Sequence, residues 1–139
     1  MQVNPYLIYD GNCQEALKFY QKVLGARIEA THRYGEGPPE MQVAPEHKDR
    51  IMHARLTIDG EVLMASDAYP GNFQKPQGFS VSLQVEDPAD AERRFKALAD
   101  GGSINMAVPY FGVSSCPAGT KAPSAFLTSN ISGAKGSVR

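Results

Sequence analysis

The spacing of apolar residues changes once within the first stretch of the chain, and that change divides it into two elements. Tyr6, Leu7, Ile8 and Tyr9 follow one another as a short apolar and aromatic run, and Asp10, Gly11 and Asn12 then supply turn chemistry, so a buried strand is expected to end there. From Cys13 onward Ala16, Leu17, Tyr20, Val23 and Leu24 recur at spacings of three and four, which places them on one face of a helix. Gln14, Lys18, Gln21 and Lys22 take the other face, and Gly25 stands where a left-handed glycine can close the helix.

Beyond Gly25 the period becomes two. Ala26, Ile28, Ala30, His32 and Tyr34 alternate with Arg27, Glu29, Thr31 and Arg33, which predicts a half-buried strand. Gly35 to Arg50 shows neither period and holds Gly35, Gly37, Pro38, Pro39 and Pro45, so it reads as a loop of about 15 residues, long enough to act as a lid over a site. Ile51 to Ile58 and Glu61 to Ser66 are strand-like on either side of Asp59-Gly60, a strong hairpin signal. Asp67 to Gly78 is a connecting loop.

The opening unit then returns. Phe79 to Val85 reads as a strand, Asp87 as a helix cap with Pro88 at the first helical position, and Ala91, Phe95 and Leu98 as the buried face of a second helix ended by Gly101 and Gly102. A shift of 75 residues superposes Ile8 on Leu83, Asn12 on Asp87, Ala16 on Ala91, Tyr20 on Phe95 and Val23 on Leu98. Because strand, turn and helix all match, the pattern indicates an internal duplication. One domain is expected over 1–139, with repeat one at about 1–75 and repeat two at about 76–139. The second copy ends differently. Ser103 to Val108 reads as a strand and Ser124 to Thr128 as a short one, but from about Tyr110 the chain is crowded with Ser, Gly, Ala, Pro and Lys, a composition of loops or disorder.

Composition narrows the function. A chain of 139 residues with 42% hydrophobic and 21% charged residues has the make-up of one soluble domain. Its formal net charge of -1 offers no field for nucleic acid or an anionic membrane, and both are excluded as expected partners. No apolar run approaches the roughly 20 residues of a membrane span, and no leader pattern opens the chain, so the cytoplasm is the expected location. Cys13 and Cys116 are too few for a disulfide framework and read as reduced thiols.

The order strand, helix, three strands, given twice, with the motifs NPYLIYDGNCQEALKFYQKVLG and IMHARLTIDGEVLMASD, resembles the PhnB-like branch of the vicinal oxygen chelate superfamily, over Gln2 to about Met106. That superfamily includes glyoxalase I, the fosfomycin and bleomycin resistance proteins and extradiol dioxygenases. The resemblance implies an α+β fold of two βαβββ repeats, each a curled half-barrel of mixed, largely antiparallel sheet, enclosing a pocket for a small molecule. It also implies a homodimer. Metalloenzymes of the superfamily take a histidine from the first strand of each copy, seven residues before the turn. Here those positions are Pro5 and Ser80, so no metal or other cofactor is expected in the usual place. The chain also departs from the pattern in its tail, where relatives close the second half-barrel with an aromatic-rich hairpin and a final strand.

Six residues are the candidate ligand contacts: Tyr6, His53, Arg55, Met64, Ser66 and Asp67. His53 shares a strand face with Arg55 and Thr57, while Met52, Ala54, Leu56 and Ile58 line the other, which should meet the helix. An imidazole there could act as a base or donor in a cavity, or be a structural group bonded to a neighbouring strand. Asp67 could pair with Arg55 or orient His53, or bond backbone amides as the loop begins. Tyr6 and Tyr9, with Tyr69 and Phe73, could line a pocket or serve the core. His32 reads as a packed core or edge histidine and His47 as part of a solvated charge cluster. Cys13, opening the first helix, is either activated by the helix dipole or buried and inert. The expected function is binding of a small molecule without a metal centre. Alternatives are a metal-dependent lyase, isomerase or dioxygenase with ligands from unexpected positions such as His53, and a non-catalytic dimeric protein.

Overall fold

A computed structural model of the protein describes residues 1–100 apart from Gln42, Ser80 and Ser82. The chain divides into two units, with the boundary in sequence between Gln77 and Gly78. The expected helix-ending glycines Gly101 and Gly102, the strands at 103–108 and 124–128 and the irregular tail lie outside the described residues.

The first unit is α+β. Strand β1 (Tyr6–Tyr9) leads into helix α1 (Cys13–Leu24), followed by β2 (Arg27–Arg33), β3 (Ile51–Ile58) and β4 (Glu61–Asp67). The four strands form one mixed sheet in the order β1-β4-β3-β2, with β1 parallel to β4 and the other pairs antiparallel. The core is the face that meets α1: Leu7 and Tyr9 from β1, Ala54 and Leu56 from β3, and Leu63 and Ala65 from β4 are buried together with Ala16, Leu17, Tyr20, Val23 and Leu24. Large side chains such as Leu17 and Leu56 contribute about 1.5–3 kcal/mol each when removed from water, which is what holds an otherwise short helix on the sheet.

Local signals act where expected. Gly25 adopts φ 69° and its N–H bonds the Gln21 carbonyl, closing α1. Asp59 and Gly60 both have positive φ, at 50° and 91°, the requirement of a tight hairpin whose twist suits its strands. The Gly35 to Arg50 stretch is more ordered than a plain loop. It winds through three single 3₁₀ turns at Tyr34–Glu36, Pro39–Met41 and Pro45–His47, and Tyr34 and Gly35 donate backbone bonds to Arg50 and Lys48. None of these anchors belongs to the six candidate ligand contacts.

Two irregularities in the β2/β3 ladder change which residues share a face. Pairing shifts between Ile28 and Ala30, leaving Glu29 as the extra residue, and shifts back between His32 and Arg33, leaving Met52 as the extra residue on β3. Between the bulges Ala30 pairs with Arg55 and His32 with His53. The simple alternation expected for Ala26 to Tyr34 therefore fails at Glu29, and exposed His32 lies on edge strand β2, on the face of His53. The second bulge explains why Ile51 is 1% exposed although it is two residues from His53.

In the second unit, α2 (Pro88–Ala99) is capped as its sequence predicts. The Asp87 carboxylate accepts bonds from the Ala89 and Asp90 amides at 3.4 and 3.1 Å, with Pro88 at the first position. Its first and last residues stand 75 positions after those of α1. Phe79, Val81 and Leu83 to Val85, expected as part of a strand, are in no strand among the described residues, and Ser80 and Ser82 of the same stretch lie outside them.

Candidate functional site

The far face of the sheet, opposite α1, gathers five of the six candidate residues. Arg55 pairs with Met64 across β3 and β4, and Met64 pairs with Tyr6 across β4 and β1, so the three stand in one row. Ser66 pairs with Ile8 in the next row, and continuing the β3/β4 register brings His53 opposite Ser66. The Tyr6 hydroxyl lies 3.0 Å from His53 Nδ1, and their rings are 5.8 Å apart at 36°. Since β4 runs between β1 and β3, this bond passes over β4. Tyr6 and Ile8 remain 40% and 45% exposed, whereas Ser66, between them and His53 in the ladder, is 8% exposed.

Glu29 belongs to the same face and was not among the candidates. The bulge turns it toward Arg55 and Thr57: Oε2 accepts Arg55 Nε at 3.1 Å, and Oε1 accepts Arg27 Nη2 at 2.9 Å and Thr57 Oγ1 at 3.2 Å. The bonds from Arg27 and then Arg55 hold its carboxyl below the usual value. Nothing in the alternating sequence marks the bulge; the one available signal is a glutamate two positions from Arg27, with Arg55 and Thr57 on the facing strand.

Asp67 is placed elsewhere. It is 2% exposed and points to the α1 side, where Oδ1 accepts the Cys13 amide at 2.9 Å and Oδ2 the Ile51 amide at 2.7 Å. Of the two roles considered for it, the structure shows the backbone-amide one, although the amides come from distant segments and not from its own loop. It satisfies a free donor at the start of α1, where Asn12 makes no side-chain cap bond, and ties that helix to β3. Burial pushes its carboxyl above the ordinary value, against the opposing pull of the Cys13, Ile51 and Gly11 amides and of Arg50. Tyr34 donates its hydroxyl to the Asp67 carbonyl at 3.1 Å.

The two β1 tyrosines separate. Tyr6 lies on the far face, while Tyr9 is 3% exposed in the core, its hydroxyl 2.7 Å from that of Tyr20. Burial raises both phenols, with Tyr20 pushed up to about 12. Cys13 is fully buried, and burial, then Asp67 and Glu15, push its thiol up to about 12, so the inert reading of this cysteine is the one its surroundings support.

Pro5 occupies the position from which metalloenzymes of the superfamily offer a histidine. Its side chain has no donor atom, and its carbonyl accepts the Met64 amide at 3.1 Å. Among the described residues no group of three or more His, Cys, Asp or Glu side chains is arranged to hold a metal ion.

A strand, a helix and three strands in one mixed sheet follow the order that the first repeat was expected to have. A family model described as 3-demethylubiquinone-9 3-methyltransferase matches residues 1–115, and the chain belongs to that family, the PhnB-like branch of the glyoxalase-fold superfamily. It is similar to protein YjdN of Escherichia coli K12, with 34% identity over 115 residues that cover 77% of this chain and 78% of that one. Among solved structures it is similar to protein PA1353 of Pseudomonas aeruginosa, at 45% identity and a TM-score of 0.69, covering 77% and 78% of the two chains. A Bacillus cereus protein titled a putative 3-demethylubiquinone-9 3-methyltransferase, PhnB protein, is 25% identical with a TM-score of 0.64 over 80% and 83%.

Proposed function

We propose that this protein, built of two βαβββ repeats, binds a small organic molecule against the far face of the sheet of its first unit, without the metal centre usual in its superfamily. The observation that carries this reading is the Tyr6 to His53 bond over β4, which draws aromatic and polar groups from non-adjacent strands onto one face and leaves Tyr6 and Ile8 exposed beside Met64. Tyr6, His53, Arg55, Met64 and Ser66 contact the ligand, while Asp67 fixes the frame from behind. The 75-residue offset between the ends of α1 and α2 supports the duplication, with repeats meeting near residue 76 in one domain of 139 residues. Pro5, lacking a donor, supports the metal-free reading.

In this reading the protein works in the cytoplasm as a homodimer, with neither nucleic acid nor membrane as partner. The net charge of -1 is in line with that, and no helix among the described residues is long and apolar enough to cross a membrane. The test is a thermal-shift screen against a metabolite panel, followed by amide and methyl chemical-shift mapping of each stabilising compound. The expected result is perturbation centred on Tyr6, His53, Met64 and Ser66, with no stoichiometric divalent ion in elemental analysis of protein purified without added metal. Stabilising compounds that perturb only other residues, or a bound ion in one-to-one amount, would overturn it.

A further inference from the structure

Arg55 is held in an unusual way for a surface cation. Among the described residues its side chain is bonded only through Nε, to Glu29 Oε2, and its two terminal nitrogens, Nη1 and Nη2, have no partner. Glu29 is meanwhile shared with Arg27 through its other oxygen, so one carboxylate faces two guanidinium groups and a positive charge is left over. The arginine side chain is 43% exposed and the Glu29 side chain 28%. Gripping a guanidinium by Nε fixes its plane and leaves the edge formed by the two terminal nitrogens for a second anion, with two parallel N–H donors matched to the two oxygens of a carboxylate.

The rest of the row says what the anion is attached to. Met64 is the direct neighbour of Arg55, and half-exposed Tyr6 the direct neighbour of Met64. Two strand spacings separate Arg55 from Tyr6, roughly 10 Å. Because the Tyr6 ring reaches over β4 toward His53, an aromatic group held at Arg55 would meet Met64 and the exposed part of the Tyr6 ring.

We propose that the far face recognises an aromatic monocarboxylate, its carboxylate on the terminal nitrogens of Arg55 and its ring over Met64 toward Tyr6, with Glu29 as the positioning residue that orients Arg55. This rests on the ligand-face reading above and adds the chemical class. Benzoate is the probe, and benzamide, of the same shape without the charge, is the control. In wild-type protein benzoate is expected to shift the Met64 methyl, the Tyr6 ring and Arg55 Nε–H resonances, and to bind at least about tenfold more tightly than benzamide, the difference of roughly 1.4 kcal/mol that a charge-assisted pair supplies. Arg55→Lys keeps the charge but not the fork, and is expected to lose about tenfold in benzoate affinity and clearly less in benzamide affinity.

Glu29→Gln separates positioning from bulk electrostatics. The substitution removes a negative charge beside the site, so a purely electrostatic role predicts tighter benzoate binding; positioning predicts weaker binding despite the added positive charge. Tighter or unaltered binding overturns the role given to Glu29. Equal affinity for benzoate and benzamide at these residues overturns carboxylate recognition and leaves small-molecule binding on the face standing. Should neither probe shift any residue of the face while other panel members do, the aromatic carboxylate class is likewise overturned and the face reading survives.

Discussion

The hydroxyl of Tyr6 lies 3.0 Å from Nδ1 of His53 although the strands that carry them are not neighbours. The intervening strand, β4, presents Ser66 at 8% exposure in the rows they bridge. A bond that spans a strand fixes two side chains that would otherwise swing freely on a half-exposed sheet face. It also constrains His53, since Nδ1 either accepts the phenol proton or donates to the phenol oxygen.

Replacing Tyr6 by phenylalanine keeps the ring and removes the hydroxyl. The expected result is a change in the His53 ring nitrogen shifts, because Nδ1 loses its partner, with a stability loss of no more than about 1 kcal/mol, as Tyr6 is partly exposed to water. Imidazole nitrogen NMR and urea unfolding check the two parts, and unchanged nitrogen shifts would show that the bond is not made in solution.

Asp67→Asn should cost more. Both carboxylate oxygens accept backbone donors in a buried setting, and an amide turns an N–H₂ toward one of them. One buried N–H is left without an acceptor, a loss of about 1–3 kcal/mol, measurable by urea unfolding.

The same pair of proteins has a defined pH dependence. Burial raises the Asp67 carboxyl in the folded state, so the fold holds this proton more tightly than the unfolded chain does. The contribution of its titration to stability is therefore fully present below the ordinary aspartate value and is lost as pH rises through the raised folded value. The stability gap between wild type and Asp67→Asn, which does not titrate there, is expected to be widest in acid and to narrow across that window. A gap that widens with rising pH would mean that the backbone amides outweigh burial.

Cys13 is expected to resist modification. With its thiol pushed up to about 12, the thiolate fraction at pH 8 is about one part in ten thousand, and full burial blocks access. Site-resolved iodoacetamide labelling, read by peptide mass, should find Cys13 unmodified in the native protein and modified after urea unfolding. Rapid native labelling would instead place the helix dipole above burial in setting its reactivity.

Gly25→Ala isolates a backbone effect. Among the described residues no heavy atom beyond the adjoining residues lies within 4 Å of where a Cβ would stand, so the cost is that of holding alanine at φ 69°, about 1 kcal/mol. Thermal unfolding should show a small cooperative decrease without change in the far-UV spectrum.

Much of this was legible in the residues themselves. The helix over Cys13 to Leu24, the hairpin at Asp59-Gly60 and the cap formed by Asp87 and Pro88 follow from period and turn chemistry within a few positions. The division of β3 into a helix-facing set with Ala54 and Leu56 and a far-face set with His53 and Arg55 follows from alternation. Glu29 was hidden because a bulge costs one unpaired residue at a place chosen by both strands together, and alternation in one strand cannot report it. Asp67 stood at a strand end in sequence, and either face was open to it until its acceptors met the amides of Cys13 and Ile51.

Sequence alone determined the elements of the first unit, the family and the face on which a ligand would be sought, because periodicity, caps and turns are set by neighbours along the chain. Tertiary structure decided which polar groups meet: Tyr6 with His53 over β4, Glu29 between Arg27 and Arg55, Asp67 beneath the start of α1. Those partners lie tens of residues apart or across a bulge, and their encounters depend on strand register and burial, which the packed chain settles as a whole.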